Sequence, residues 1–167
     1  MPTPVSLFVS LQALGAATGA LSVIWSEITY IRAMRDGAID VAERAHLRVI
    51  ASGLRFGMLL LLLASFGLVV MAYVLKATAQ PALTASYWTV IILSLLIIGV
   101  SWALSRRRIS FALGSAAVFT AWWFLAYLTF GWLPPLSFGA AVAFYVVATA
   151  IFYALLASAR WLSLRKS

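Results

Sequence analysis

Glu27, His46, Arg48, Ser52 and Arg55 have the residue types and spacing for polar chemistry, and all five fall in the stretch 27–55 of a 167-residue chain. The same stretch holds all four acids (Glu27, Asp36, Asp40 and Glu43) and the single histidine. A carboxylate near an arginine can form an ion pair, a gate or a proton site. A lone imidazole titrates close to neutral pH and could carry a proton or sense pH. Arg44, Arg48, Ser52 and Arg55 recur at helical spacing, so in a helix they form a basic stripe along one face.

The depths of these residues can be compared by helical rise. Glu27 lies about 12 Å along the helix from Arg35, and Arg55 about 22 Å from Asp40. Two antiparallel helices therefore place Arg55 roughly 10 Å farther from the turn than Glu27. An arginine leans toward the N-terminus of its own helix, which for Arg55 is toward Glu27. An unpaired charge inside a bilayer costs about 2.5–3.5 kcal/mol even on insertion scales, which favours pairing. The expectation is a Glu27–Arg55 ion pair with His46 and Arg48 nearby. The competing expectation is that Arg55 snorkels to lipid phosphates while Glu27 is solvated.

The elements that position these residues follow from hydrophobicity. Apolar residues make up 65% of the chain, charged residues 10%, and the mean hydropathy is +1.06. Soluble domains are roughly half apolar and a quarter charged. A chain of this length cannot hide so much apolar surface from water, so an all-α integral membrane protein is expected, one membrane domain over 1–167. A span needs roughly 20 apolar residues, and five segments meet that: 5–34, 40–76 with an extension outside the lipid, 83–105, 109–131 and 136–160. Runs such as LLLLLAS and VIILSLLIIGV lack the alternation of a barrel strand. Helices pair every backbone group internally, as lipid requires. The opening MPTPVSLF has no basic residue, so the first apolar run is expected to be a retained span.

Asp36-Gly37 reads as the break between the first two helices, and Asp40 with Glu43 as a capping box opening the second. Arg106–Arg108 and Trp132-Leu-Pro-Pro mark later turns. Gly15-x-x-x-Gly19 and Gly53-x-x-x-Gly57 fall at matching depths and predict close packing of the first two spans. Ile24, Ile28 and Ile31 are expected to face Leu47, Ile50 and Leu54. Arg32, Arg35, Arg44, Arg48, Arg106–Arg108, Arg160, Arg165 and Lys166 flank spans on one side, and Lys76 lies on the other. Positive residues collect on the cytoplasmic side. That predicts an outside N-terminus, a cytoplasmic C-terminus and a charged cytoplasmic helical hairpin, with a bacterial plasma membrane as the location. It also accounts for the net charge of +8 without nucleic acid.

Chemistry classes are excluded by what is missing. With no cysteine there is no thiolate nucleophile, cysteine metal site or disulfide. One histidine cannot supply both axial ligands of a haem within one chain. Asp36 to Glu43 resembles half of a calcium loop whose first ligand positions would be Arg32 and Met34, so no metal is expected. Acid–base groups for an intramembrane enzyme are scarce. Trp122, Trp123 and Tyr127 on the fourth span and Tyr145 and Tyr153 on the fifth could line a site for a quinone, carotenoid or lipid, or could simply pack. No cofactor is otherwise expected.

Three functions compete. The first is an accessory or docking subunit whose basic hairpin engages anionic lipid head groups, a protein partner or a second copy. The second is a small oligomeric transporter or ion- or proton-conducting protein using Glu27, Arg55 and His46. The third is a protein binding an apolar ligand through the aromatic residues.

Overall fold

The computed structural model describes residues 4–35 and 39–164. Every described element is helical: α1 (Pro4–Arg35), α2 (Ile39–Gly53), a π-helical turn (Leu54–Met58), α3 (Leu59–Val74), a 3-10 turn (Pro81–Leu83), α4 (Ala85–Ser105), α5 (Phe111–Thr129) and α6 (Phe138–Leu164). The π turn joins α2 and α3 without a break, so five helices are long and apolar enough to cross a membrane. This agrees with an integral membrane helix bundle. The Asp36-Gly37 turn and the Asp40 side chain, on which the capping box depends, lie outside the described residues, as do Arg165 and Lys166.

Three helices stop in the same way. Lys76, Arg107 and Gly131 take left-handed backbone conformations. In each case the next residue's N–H reaches back five positions: Ala77 to Ala72, Arg108 to Ala103 and Trp132 to Tyr127. This paired capping of the last carbonyls ends a helix within one turn. It keeps the connections short and sends the chain straight back into the bundle.

Helix α5 is the central post. It packs against α1, α4 and α6, and small residues such as Ala116 and Ala121 let the neighbours approach. By contrast, Ala141 and Arg160 are the only buried residues of α6 among those described. The rest of that helix meets the surroundings, and in lipid an apolar exterior carries no penalty.

The α1–α2 crossing sets the register of the site. A Cβ on Gly15 would stand 2.7 Å from the Gly57 carbonyl oxygen, and one on Gly57 would stand 2.8 Å from the Gly15 carbonyl oxygen. Any side chain there would force the backbones apart, which is the role expected of these glycines. Gly53 faces Ser22 across the same seam, and the Trp122 ring lies directly on Gly19. Moving toward the α1–α2 turn, Ser26 then meets His46. Positions rise on one helix as they fall on the other, so the pair is antiparallel.

The isoleucine seam is not what fills this interface. Ile28 is exposed, and the buried side of α1 near the turn is Val23, Ser26, Glu27 and Tyr30. They face Ala42, His46 and Ile50, spaced one helical turn apart on α2 and all buried. The apolar pattern of α1 is satisfied by lipid as well as by protein, so it did not distinguish an inward face from an outward one.

Candidate functional site: a buried ion pair where four helices meet

Helices α1, α2, α5 and α6 each contribute to one polar cluster at the end of the bundle that carries the α1–α2 turn. Glu27 points inward from α1 and is 6% exposed, while Arg160 comes from the last turns of α6. Arg160 Nη2 donates to Glu27 Oε1 at 2.8 Å and to Oε2 at 2.9 Å, and Nε reaches Oε2 at 3.3 Å. A second acceptor for Nη2 is Ser115 Oγ on α5, at 2.8 Å. The guanidinium also lies over the rings of Tyr30 and Phe111, 4.8 and 5.3 Å from their centres. Charge, hydroxyl and ring faces together replace the water that the arginine gives up.

His46 closes the cluster from α2. Ser26 Oγ donates to the His46 carbonyl oxygen at 3.2 Å, and His46 Nδ1 contacts the Ser26 carbonyl oxygen at 3.3 Å. A carbonyl only accepts, so that contact puts the ring proton on Nδ1. The same nitrogen is 3.8 Å from Glu27 Oε1. Nε2 is buried and has no hydrogen-bond partner. The imidazole sits edge-on to Tyr30 and Phe111, which stack on each other at 4.6 Å. Phe111 also lines a cleft of about 470 Å³ that includes Glu43, Arg44 and Arg107, so its ring separates the buried cluster from that opening.

The structure therefore corrects the expected pairing. Glu27 binds Arg160, and Arg55 is exposed with no ion pair among the described residues. The reason is helical phase. Gly53 and Gly57 face α1, and Arg55, midway between them, points to the opposite side. The depth difference survives: Gly53 lies level with Ser22, which places Arg55 roughly 10 Å beyond Glu27. Glu27 and His46 do come together. Arg48, Ser52 and Arg55 instead lie exposed on the outer face of α2 along with Arg44, two positions out of phase with Ala42, His46 and Ile50.

Arg160, Ser115, Ser26, Tyr30 and Phe111 were not singled out by the sequence reading. In the sequence, Arg160 reads only as a positive residue near a helix end. The available signal was Trp161-Leu-Ser-Leu, which continues the apolar pattern past the arginine and keeps it within the helix. The serine and the rings carry no comparable mark, because membrane helices contain many of each.

The five aromatic residues do not form one site. Trp122 is 1% exposed and belongs to the core against Gly19. Trp123 and Tyr127 line a groove of about 320 Å³ with Phe119, Phe144 and Phe152. Tyr145 and Tyr153 line a different one of about 700 Å³ with Leu96, Val100 and Leu113. The Tyr145 hydroxyl is already committed to the Ala117 carbonyl oxygen at 3.0 Å, and Trp123 Nε1 is sealed from solvent. The smaller groove is lined mainly by rings, whereas the larger one also carries the hydroxyl residues Ser110 and Thr149 beside the two tyrosines.

Gln12 and Ser65 form a second polar contact, 2.8 Å long, toward the other end of α1. Between it and Glu27 lie about 20 Å of helix packed through Ala16, Gly19, Ala20 and Val23. The intervening buried hydroxyls of Ser94 and Thr120 each donate to the carbonyl four residues back in their own helix. Among the described residues, no chain of polar groups links the two ends.

The chain matches no family model, no curated protein and no solved structure.

Proposed function

We propose that this protein is an accessory or docking subunit of a cell membrane, most simply a bacterial plasma membrane. The outside N-terminus and cytoplasmic C-terminus follow from the positive residues, which puts the α1–α2 turn and the Glu27–Arg160 cluster on the cytoplasmic side. The observation that supports docking is the contrast between the two faces of α2. One face, Ala42, His46 and Ile50, is buried, and the other, Arg44, Arg48, Ser52 and Arg55, is exposed. The ion pair fixes α1 and α6 at this end, and Arg48 and Arg55 point outward from the bundle, where something outside the chain can meet them.

The transport reading, with Glu27, His46 and Arg55 as a gate, has weaker support. Arg55 stands apart from the other two, and the polar groups do not continue through the bundle. A bound quinone, carotenoid or lipid in the aromatic region is likewise weakened by the separation of Trp123 and Tyr127 from Tyr145 and Tyr153.

Purification in mild detergent tests the proposal. A larger membrane complex is expected to co-purify with the wild type and to be lost when Arg44, Arg48 and Arg55 are all replaced by Gln. A stable monomer alone, together with solute flux into proteoliposomes that Glu27→Gln abolishes, would replace docking with transport. The chain has no cysteine, so single-cysteine labelling at Ser52 and at Thr78 reads orientation without background. Labelling of Ser52→Cys from outside the cell would reverse the proposed orientation.

A further inference from the structure

The cleft that Phe111 separates from the buried cluster lies between the start of α2 and the α4–α5 turn, and its volume is about 470 Å³. We propose that it binds the head group of one zwitterionic phospholipid carrying a primary amine, a phosphoethanolamine. Its phosphate is held by Arg107 and Arg44 and its ammonium by Glu43, and its chains start against Leu47 and Leu104. The inference goes beyond docking and rests only on the chain spanning a bilayer.

All of these residues line the one cleft, Glu43, Arg44 and Leu47 from α2 and Leu104, Ser105 and Arg107 from the end of α4 and its turn. They are ordered by depth. Leu47 lies one helical turn, about 6 Å, farther into the bilayer than Glu43. Leu104 sits in the last turn of α4, ahead of Arg107, and is buried. Charged groups therefore form the outer lip and apolar ones the inner side, the order in which a lipid presents its head and its chains. The floor is fixed from behind, because Phe111 stacks on Tyr30 at 4.6 Å and lies under the Arg160 guanidinium.

The charges select the head group. Glu43 is half-buried and makes no hydrogen bond or ion pair among the described residues. A carboxylate in that state is matched by a positive group with N–H donors. Arg44 and Arg107 have partners of their own, but a guanidinium has five donors in a planar fork and can serve a phosphate as well. A head group with a phosphate alone leaves Glu43 unanswered, and a trimethylated amine has no N–H to offer. An ethanolamine head answers both signs. A cleft of this size admits a head group, whereas a partner helix, about 10 Å across, can only lie over its mouth.

The test uses the full chain, delipidated in neutral detergent and titrated with phosphatidylethanolamine, phosphatidylcholine or phosphatidylglycerol of the same chains, with native mass spectrometry counting retained lipid. One phosphatidylethanolamine should be retained in preference to either of the others. Arg107→Gln should weaken its retention about fivefold. Glu43→Gln should weaken it about tenfold and abolish the preference over phosphatidylcholine. Ser105 is exposed, so Ser105→Trp fills the cleft without disturbing the core, and it should weaken retention although every charge stays. Arg106→Gln/Arg108→Gln removes two guanidiniums that lie over Trp102 instead, and it should leave retention unchanged.

A wild type that holds the other two lipids as well as phosphatidylethanolamine, or a Glu43→Gln variant that keeps the preference, overturns the site. Displacement of the lipid by equimolar free O-phosphoethanolamine overturns lipid binding and assigns the cleft to a soluble zwitterion. A wild type that holds no lipid, and whose co-purifying complex is lost on Glu43→Gln or Arg107→Gln, assigns the cleft to a protein instead.

Discussion

Around Arg160, four helices converge, and the guanidinium meets a carboxylate, a hydroxyl and two ring faces. Around Arg55, one helix turns a bare guanidinium outward, and no described acid answers it. The two side chains are chemically identical, and both belong to helices long enough to cross a membrane. What separates them is phase. Arg160 is on the inward side of α6, and Arg55 is opposite the glycines that bring α2 against α1. The first arginine completes the fold, and the second is open to a partner. Whether an arginine on such a helix is enclosed or exposed therefore depends on which way the helix faces.

The sharpest way to break this contrast is to remove the buried cation. Arg160→Leu leaves the Glu27 carboxylate enclosed without its partner and should cost about 3–5 kcal/mol of stability, read by reversible unfolding in mixed micelles. The Glu27→Leu/Arg160→Leu pair should recover most of that loss, since an apolar pair in place of a buried ion pair is often neutral. A double variant as unstable as the single would mean that packing at α6, not the ion pair, holds this end together.

A smaller effect is expected at the α1–α2 crossing that sets the phase of Arg55. Gly15→Leu drives a side chain into the Gly57 carbonyl and the Leu61 backbone and should cost about 1–3 kcal/mol. Gly99→Leu, where a Cβ meets nothing within 4 Å, is the matched control and should be close to neutral. Equal losses at the two positions would remove the argument that glycine contact fixes the α1–α2 register.

Ser115→Ala sharpens the comparison from within the cluster. It deletes one acceptor of Arg160 Nη2 and should cost about 1–2 kcal/mol. The same change in the Glu27→Leu/Arg160→Leu background should cost much less, because the arginine it serves has gone. An unchanged cost would show that the serine acts through its own helix, where its hydroxyl also reaches the Ala112 carbonyl oxygen.

The smallest effect on stability is expected on the outer face. Arg48→Gln/Arg55→Gln touches no described contact and should move the unfolding free energy by no more than about 0.5 kcal/mol. Loss of the associated complex in that variant, with stability intact, would set Arg55 apart from Arg160 as functional. A large destabilisation would instead place a structural partner on the exposed face.

Sequence alone carried the features that depend on local pattern. Hydropathy marked five segments long and apolar enough to span a membrane, and the structure makes each of them helical. The glycine pairs gave the α1–α2 contact, since rise per residue places Gly19 and Gly57 at one depth in any antiparallel arrangement. The same arithmetic placed Arg55 deeper than Glu27, and spacing alone put Arg44, Arg48, Ser52 and Arg55 on one face. The partner of Glu27 was a different matter. Arg160 is far away in the chain, and its meeting with Glu27 depends on α6 packing against α5 and touching α1 at one end. Neither side of an apolar helix is marked as inward when lipid and protein are equally apolar surroundings. Which arginine would be buried was therefore decided by the tertiary structure, through the rotation of each helix about its own axis.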